Sequence, residues 1–306
     1  MKKEENIDRT FDSLSAIHQA FGLPKPQHPL IALINGSKGN VEIRPPSGSH
    51  VLKFYKISYK LKLSGKLKYG QDYYDFDEGG LLFAAPNQVI GGNAEDTRDC
   101  SQYTLLIHPD FLLTYPLAKK IKQYGFFSYS ANEALHLSDK EKETIISIFE
   151  IIEEELNSRI DDFSQDVIIS QIELLLNYAN RFYRRQFITR KAISNDLLQK
   201  LEEILDKYFN NETSLNRGIP TVQYLSEKLN ISPSYLSDML RSLTGQNAQQ
   251  HIHNKLIEKA KEKLSATNLS VSEVAYELGF EHPQSFSKLF KTKTNLSPLE
   301  FRRSFN

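Results

Sequence analysis

Residues 270–291 read Ser270-Val271-Ser272-Glu273-Val274-Ala275-Tyr276-Glu277-Leu278-Gly279-Phe280-Glu281-His282-Pro283-Gln284-Ser285-Phe286-Ser287-Lys288-Leu289-Phe290-Lys291, and the punctuation of this stretch decides the C-terminal fold. Ser270 and Glu273 form a capping box, each side chain able to satisfy an unpaired backbone donor at a helix start. That helix stops at Gly279. The next starts around His282-Pro283, where proline at the first helical position sacrifices no hydrogen bond. The same grammar occurs earlier in the chain. A short helix from about Thr221 to Leu229 meets a turn at Asn230, and a second helix starts at Ser232-Pro233 with Ser232 as N-cap. Asn230 and Gly279 both tolerate the positive φ that a tight turn between helices needs.

The two second helices align at a spacing of 50 residues: Leu236 with Phe286, Ser237 with Ser287, Leu240 with Phe290 and Arg241 with Lys291. Between the copies, Ile252, Leu256, Ala260 and Leu264 recur at helical spacing and predict one amphipathic helix of roughly 18 residues, about 27 Å long. Two helix-turn-helix units on such a strut can meet successive major grooves, about 34 Å apart, on one face of DNA.

Residues 221–303 resemble the DNA-binding domain of the AraC/XylS family of bacterial transcription regulators. The second copy carries the resemblance through Ser272–Phe280, Ser285–Lys291 and Leu296-Ser297-Pro298-Leu299-Glu300-Phe301-Arg302. The first carries it through Ser232-Pro233-Ser234-Tyr235-Leu236-Ser237 and Thr244-Gly245. The resemblance implies recognition helices at about Ser232–Leu243 and Pro283–Lys293. Ser234, Ser237 and Asp238 would face base edges in the first, and Pro283, Gln284, Ser287 and Lys288 in the second. Gln pairs with adenine and Lys with guanine acceptors, whereas Asp prefers the cytosine amino group. Arg241, Lys291 and Lys293 would sit nearer phosphates, fixing register. The sequence departs from the family pattern at Asp238, an acid among readers, and at Asn295, which replaces a glycine. It departs again at His251 and Leu256 of the connecting helix.

The N-terminal part has another character. Ile57, Tyr59, Leu61 and Leu63 alternate with Lys56, Ser58, Lys60 and Lys62, which predicts a strand with apolar groups on one face and lysines on the other. Runs at Leu67–Tyr69, Tyr73–Phe76, Leu81–Ala85 and Tyr103–Ile107 follow, between turns at 45–48, 77–80 and 91–93. Short strands at this spacing predict an antiparallel sandwich or small barrel. Ser138 and Glu141 form another capping box, ahead of a helix through Ile145, Ile148, Phe149, Ile152 and Leu156. A second helix runs through Val167, Ile168, Ile172, Leu175, Leu176 and Tyr178. The expected class is therefore α+β. A β-rich sensor domain, cupin-like by resemblance, covers 1–137. A helical pair for dimerisation covers 138–185, a polar linker 186–196, and the double helix-turn-helix domain 197–306.

Composition sets the outer bounds. The 306 residues hold 38 basic and 38 acidic side chains. From Pro220 onward there are 11 basic and 8 acidic residues, a net of +3, so the first 219 carry −3. This mild asymmetry permits nucleic-acid binding without proving it. The single cysteine, Cys100, excludes a disulfide framework, a multi-cysteine zinc site and methyl transfer through paired cysteines. No apolar stretch approaches ~18 residues, and Met1-Lys2-Lys3 leads into polar residues, so neither a membrane span nor a secretory signal is expected. A cytoplasmic protein is.

A metal enzyme of the cupin type is the rival from another class. It needs clustered ligands, whereas His28, His50, His108 and His136 are each isolated. His251 and His253 lie two apart on a helix and point to opposite sides. Tyr59, Tyr69, Tyr73, Tyr74, Phe76, Phe83 and Tyr103 read as an aromatic core or as a pocket lining. Lys259, Lys261 and Lys263 read as a basic contact face or merely as a solvated one. A third reading is an interaction module with a degenerate helix-turn-helix, suggested by Asp238. The expected partners are double-stranded DNA, RNA polymerase, an unidentified small-molecule effector and a second copy of the chain, with no cofactor and no metal.

Overall fold

The computed structural model describes residues 7–36, 49–61, 67–69, 72–74, 79–90, 101–130, 133–158, 163–189, 191–210 and 213–304. They form two compact units, 1–186 and 187–306. Lys62, Leu63, Phe76, Cys100, residues 77 and 78 of the turn at 77–80, and the turns at 45–48 and 91–93 lie outside the described residues.

The first unit is built on strands. β1 (Ile7–Phe11), β3 (Ser49–Leu52) and β8 (Val89–Ile90) form one sheet in the order β1-β3-β8, with β1 parallel to β3. The larger sheet has the order β10-β7-β4-β9-β2, from β10 (Leu135–His136), β7 (Gly80–Ala84), β4 (Tyr55–Lys60), β9 (Ser101–Ile107) and β2 (Ile31–Asn35). β5 (Leu67–Tyr69) and β6 (Asp72–Tyr74) pair with each other. The expected barrel is not closed among the described residues. The five-stranded sheet ends on β10 and β2, which do not pair with one another. β1 and β10 lie outside residues 29–107, where the sequence carries its strand signals; β10, of two residues, is too short to show periodicity.

The alternation along β4 is only half realised. Ile57 and Tyr59 are buried, but so is Ser58, and Leu61 beyond the strand end is exposed. The cause is a sheet covered on both faces. On one side Ala32 and Leu106 join Phe11, Leu52, Phe54 and the residues Leu14 and Ile17 of helix α1 (Leu14–Ala20) in a single apolar cluster. Lys56 pairs with Leu106 and Ser58 with Thr104 on that face, and the Ser58 and Thr104 hydroxyls satisfy each other at 3.1 Å. On the other side Tyr103 stacks on Phe149 with ring centroids 5.2 Å apart, while Phe83 meets Phe126, Phe127 and Tyr183. Tyr59, Phe83 and Tyr103 are therefore core residues.

A short helix, α2 (Leu117–Lys120), precedes the helical pair. Phe149 comes from α3 (Asp139–Asn157), which opens on the Ser138/Glu141 capping box and buries Ile145, Ile148, Phe149 and Ile152. α4 (Ser164–Thr189) buries Ile168, Ile172, Leu175, Leu176 and Ala179. It is tied down by Lys120–Glu173 at 2.6 Å and by the Gln186 side chain, which accepts from the His136 amide at 2.9 Å. The polar run expected as a linker is helical on both sides of residue 190. α4 continues to Thr189, and α5 (Lys191–Asn210) begins at Lys191.

The second unit is all helix: α5, α6 (Thr213–Arg217), α7 (Val222–Leu229), α8 (Pro233–Thr244), α9 (Ala248–Ala266), α10 (Val271–Glu277), α11 (Pro283–Thr294) and α12 (Pro298–Arg303). α9 has 19 residues and buries Ile252, Leu256, Ala260 and Leu264, as its apolar spacing requires. Leu256, unusual by resemblance, is a fully buried packing residue.

Candidate nucleic-acid interface

The first helix-turn-helix is α7, a turn at Asn230, and α8. Thr221 caps α7 by accepting from the Tyr224 amide, and Asn230 adopts φ 56°. Ser232 caps α8 by accepting from the Tyr235 amide. Tyr235, Leu236, Met239 and Leu240 face inward, which turns the remaining stripe outward. On it Ser234, Ser237 and Asp238 are half-buried and Arg241 is exposed.

The second unit repeats this with α10 and α11. Ser270 and Glu273 complete their capping box, and hydrogen bonds from Ser270 hold the Glu273 carboxyl below its ordinary pKa. Gly279 turns the chain at φ 88°, and a Cβ there would meet the Gly218 carbonyl carbon at 2.5 Å. Phe286 and Phe290 are buried. Gln284, Lys288, Lys291 and Lys293 are exposed, while Pro283 and Ser287 are half-buried.

The repeat runs further than the two aligned helices. α8 and α11 are both 12 residues and begin 50 positions apart. Each ends on a threonine whose hydroxyl donates back to the carbonyl four residues earlier, Thr244 to Leu240 and Thr294 to Phe290, both at 2.8 Å. Each is followed by a left-handed residue, Gly245 at φ 76° and Asn295 at φ 62°. Asparagine thus serves where the resemblance implies a glycine. Capping boxes Asn247/Gln250 and Ser297/Glu300 then open the next helices. The copies differ at the start, where His282 makes no side-chain cap.

Charge breaks the symmetry. Asp238 accepts from Arg241 Nη1 at 2.8 Å across one helical turn, so the acid occupies the arginine expected at phosphate. The position 50 residues on is Lys288, and α11 carries Lys288, Lys291 and Lys293 with no acid, whereas α8 has one residue of each sign. Lys293 also donates to Asn254 at 3.2 Å. An i,i+3 pair of opposite charges is legible in sequence, and Asp238–Arg241 is one that sequence reading passed over.

Most of the lysines on α9 are engaged within the unit. Lys255 and Lys259 reach Asp206 of α5 at 2.8 and 3.8 Å, with side chains only 16% and 13% exposed. Burial pulls the Lys255 pKa down, but hydrogen bonds to Asp206 and Glu258 outweigh it and the net shift is upward. Lys263 meets Glu277 of α10 at 2.6 Å. Lys259 and Lys263 are therefore ties between helices, while Lys261 stands over the Phe301 ring. His251 bonds the Thr244 hydroxyl at 2.9 Å and His253 the Gln249 amide at 2.9 Å, and burial lowers both pKa values. Among the described residues no three His, Cys, Asp or Glu side chains gather as a metal-ligand set, and no helix is long and apolar enough to cross a membrane.

Residues 225–304 match a helix-turn-helix domain family, and residues 46–171 match the AraC-like ligand binding domain family. An uncharacterized HTH-type transcriptional regulator in the cgkA 5′ region of Pseudoalteromonas carrageenovora is 33% identical over 99 residues, 32% of this chain and 57% of that protein. The uncharacterized transcriptional regulatory protein YesN of Bacillus subtilis is 37% identical over 79 residues, 25% of this chain and 22% of that protein. The match thus spans less than two thirds of the length of either relative. The crystal structure of the C-terminal domain of the response regulator yesN from Fusobacterium nucleatum is 30% identical and covers 35% of this chain and 98% of that one, with a TM-score of 0.31. The chain thus matches family models at both its strand-rich part, as an AraC-like ligand binding domain, and its helix-turn-helix part.

Proposed function

We propose that this protein is a sequence-specific DNA-binding transcription regulator whose two recognition helices enter successive major grooves. The observation that carries the reading is the 50-residue repeat of capped helix-turn-helix units, each with its apolar residues inward and a polar stripe outward. Ser234, Ser237 and Asp238 read base edges from α8, and Pro283, Gln284, Ser287 and Lys288 read them from α11. Arg241, Lys291 and Lys293 hold phosphates. The N-terminal unit binds a small-molecule effector and pairs two copies of the chain through the outer face of the helical pair, where Ile151, Val167 and Leu174 are exposed. The dimer works on promoter DNA in the cytoplasm, in reach of RNA polymerase, and no catalysis is assigned to it.

The test is selection of binding sites from random duplex DNA with the full chain, followed by sequencing. Two short boxes about one helical turn apart are expected. No enrichment with the full chain, and none with residues 187–306 alone, would refute the reading. The neutral α8 favours a second reading, in which the first unit contacts protein. Under that reading Ser237→Ala leaves the selected sequence unchanged and only Lys288→Ala alters it.

A further inference from the structure

A side chain bonded to both helix-turn-helix units lies between them. Asn254, exposed on α9, donates from Nδ2 to Gln246 Oε1 at 2.7 Å and accepts at Oδ1 from Lys293 Nζ at 3.2 Å. Gln246 stands in the loop between α8 and α9, and Lys293 is the penultimate residue of α11. Gln246 is itself held to α8. Its amide donates to the Thr244 hydroxyl at 3.2 Å, which donates in turn to the Leu240 carbonyl. A continuous run of hydrogen bonds thus joins the C-terminal ends of the two reading helices through α9, with donor and acceptor matched at every step.

This run is not part of the 50-residue repeat. Leu243 has in the first copy the place of Lys293, and Leu296 has in the second the place of Gln246. Neither leucine side chain can hydrogen-bond, so the bonds arise only where the copies meet. An amide suits the task, because it offers a donor and an acceptor on one short side chain. One of the three Lys293 N–H donors serves the tie, which leaves two for the phosphate role proposed above.

The place of the tie gives it leverage. Gln284 lies nine residues before Lys293 on α11, about 13 Å along the helix axis. A swing of roughly 15° about the Lys293 end would carry Gln284 through about 3.5 Å. One base pair adds about 3.4 Å and about 35° between the boxes, so a small loss of angular definition reaches the neighbouring register.

We propose that Asn254 is a positioning residue that fixes the angle between α8 and α11, and through it the number of base pairs tolerated between the two boxes. The consequence for DNA rests on the regulator reading above. The mechanical role does not.

Spin labels at Glu227→Cys on α7 and Ser285→Cys on α11, both exposed positions, in a Cys100→Ser background, report the distance between the units in the DNA-free full chain by double electron–electron resonance. The expected result is a narrow distribution that broadens in Asn254→Ala. It should narrow again in Asn254→Asp, which still accepts from Lys293 and can accept from the Gln246 amide turned over. Alanine is the better helix former, and far-UV dichroism checks that each variant keeps its helices. Fluorescence anisotropy then compares the selected duplex with versions carrying one base pair more or fewer between the boxes. The wild type should discriminate against both, and Asn254→Ala should do so about five- to tenfold less, the worth of one hydrogen bond. Base preference within each box and the salt slope should stay unchanged. Equally narrow distributions in wild type and Asn254→Ala would overturn the proposal, as would a variant that weakens all duplexes alike and keeps the wild-type spacing profile. No binding of any duplex by the wild type refutes the regulator reading instead, and the label distances then decide whether the tie exists.

Discussion

Replacing Gly279 by alanine tests whether the second helix-turn-helix is seated against the loop before α7. Gly279 has φ 88°, and an added Cβ would lie 2.5 Å from the Gly218 carbonyl carbon, 2.8 Å from its oxygen and 2.9 Å from its Cα. Two costs follow. Holding an L-residue in the left-handed region costs about 1–2 kcal/mol, and forcing a methyl into packed surroundings typically costs about 1–3 kcal/mol. The second cost should lie toward its upper end, because the obstacle is backbone. Gly218 is itself held, its carbonyl accepting from the Tyr208 hydroxyl at 3.0 Å, and the adjoining Ser214 hydroxyl donates to the Glu277 carbonyl at 2.7 Å. Gly245 supplies the control. It has φ 76°, but an added Cβ there would meet nothing within 4 Å, so Gly245→Ala isolates the conformational cost. We expect Gly245→Ala to lower stability by about 1–2 kcal/mol and Gly279→Ala by about 2–5 kcal/mol. Native-state hydrogen exchange of the α10 and α11 amides at increasing urea reads both in the full chain. Equal losses in the two variants would refute the packing argument.

Asp238→Asn should free Arg241 and remove an acid from the first reading helix, so DNA binding tightens and its log–log salt slope steepens by about 1, measured by fluorescence anisotropy across salt concentrations. Lys288→Ala should cost about 1–3 kcal/mol on the preferred site and relax base preference in one box, whereas Lys291→Ala should weaken all sites alike and flatten the salt slope by about 1; competition between matched and mismatched duplexes distinguishes them. His251 and His253 are both lowered by burial, so the unfolded chain binds their protons more readily than the folded one. Stability should therefore hold above the ordinary histidine value of about 6.5 and fall as pH drops below it. Urea midpoints measured between about pH 5 and pH 8 should show this, and the double variant His251→Gln, His253→Gln should reduce the dependence.

What the sequence discloses depends on how local the cause is. The helix-turn-helix units are legible because their determinants lie within four residues of one another. Ser270 and Glu273 cap one helix end, Gly279 and Asn230 set the turns, and Pro233 and Pro283 start the next helices. The Asp238–Arg241 pair is equally local. Strand pairing is not. Nothing near Ile7–Phe11 indicates that it lies parallel to residues 49–52, and nothing near Ser58 indicates that Thr104 will bury it. The ties from Lys255 and Lys259 to Asp206 span about fifty residues, so in sequence those lysines look like a solvated face.

The two halves of the repeat keep one scaffold and divide its electrostatics. Caps, left-handed stops and back-bonded threonines recur in both copies, so whatever positions the reading stripe of α8 also positions that of α11. Against that constant frame, the change from Asp238 to Lys288 reverses a charge at the same place on the helix, and the arginine one turn along is drawn into an intrahelical pair. Phosphate attraction depends on free positive charge, so on the proposed reading α11 would contribute more of the anchoring than α8, whose outward stripe is short and polar. Exchanging the residues, with Lys at 238 and Asp at 288, tests this division. If the division holds, the anchoring box moves from one end of the selected site to the other while the spacing between boxes stays the same. A changed spacing would mean that the charges also set the geometry of the repeat.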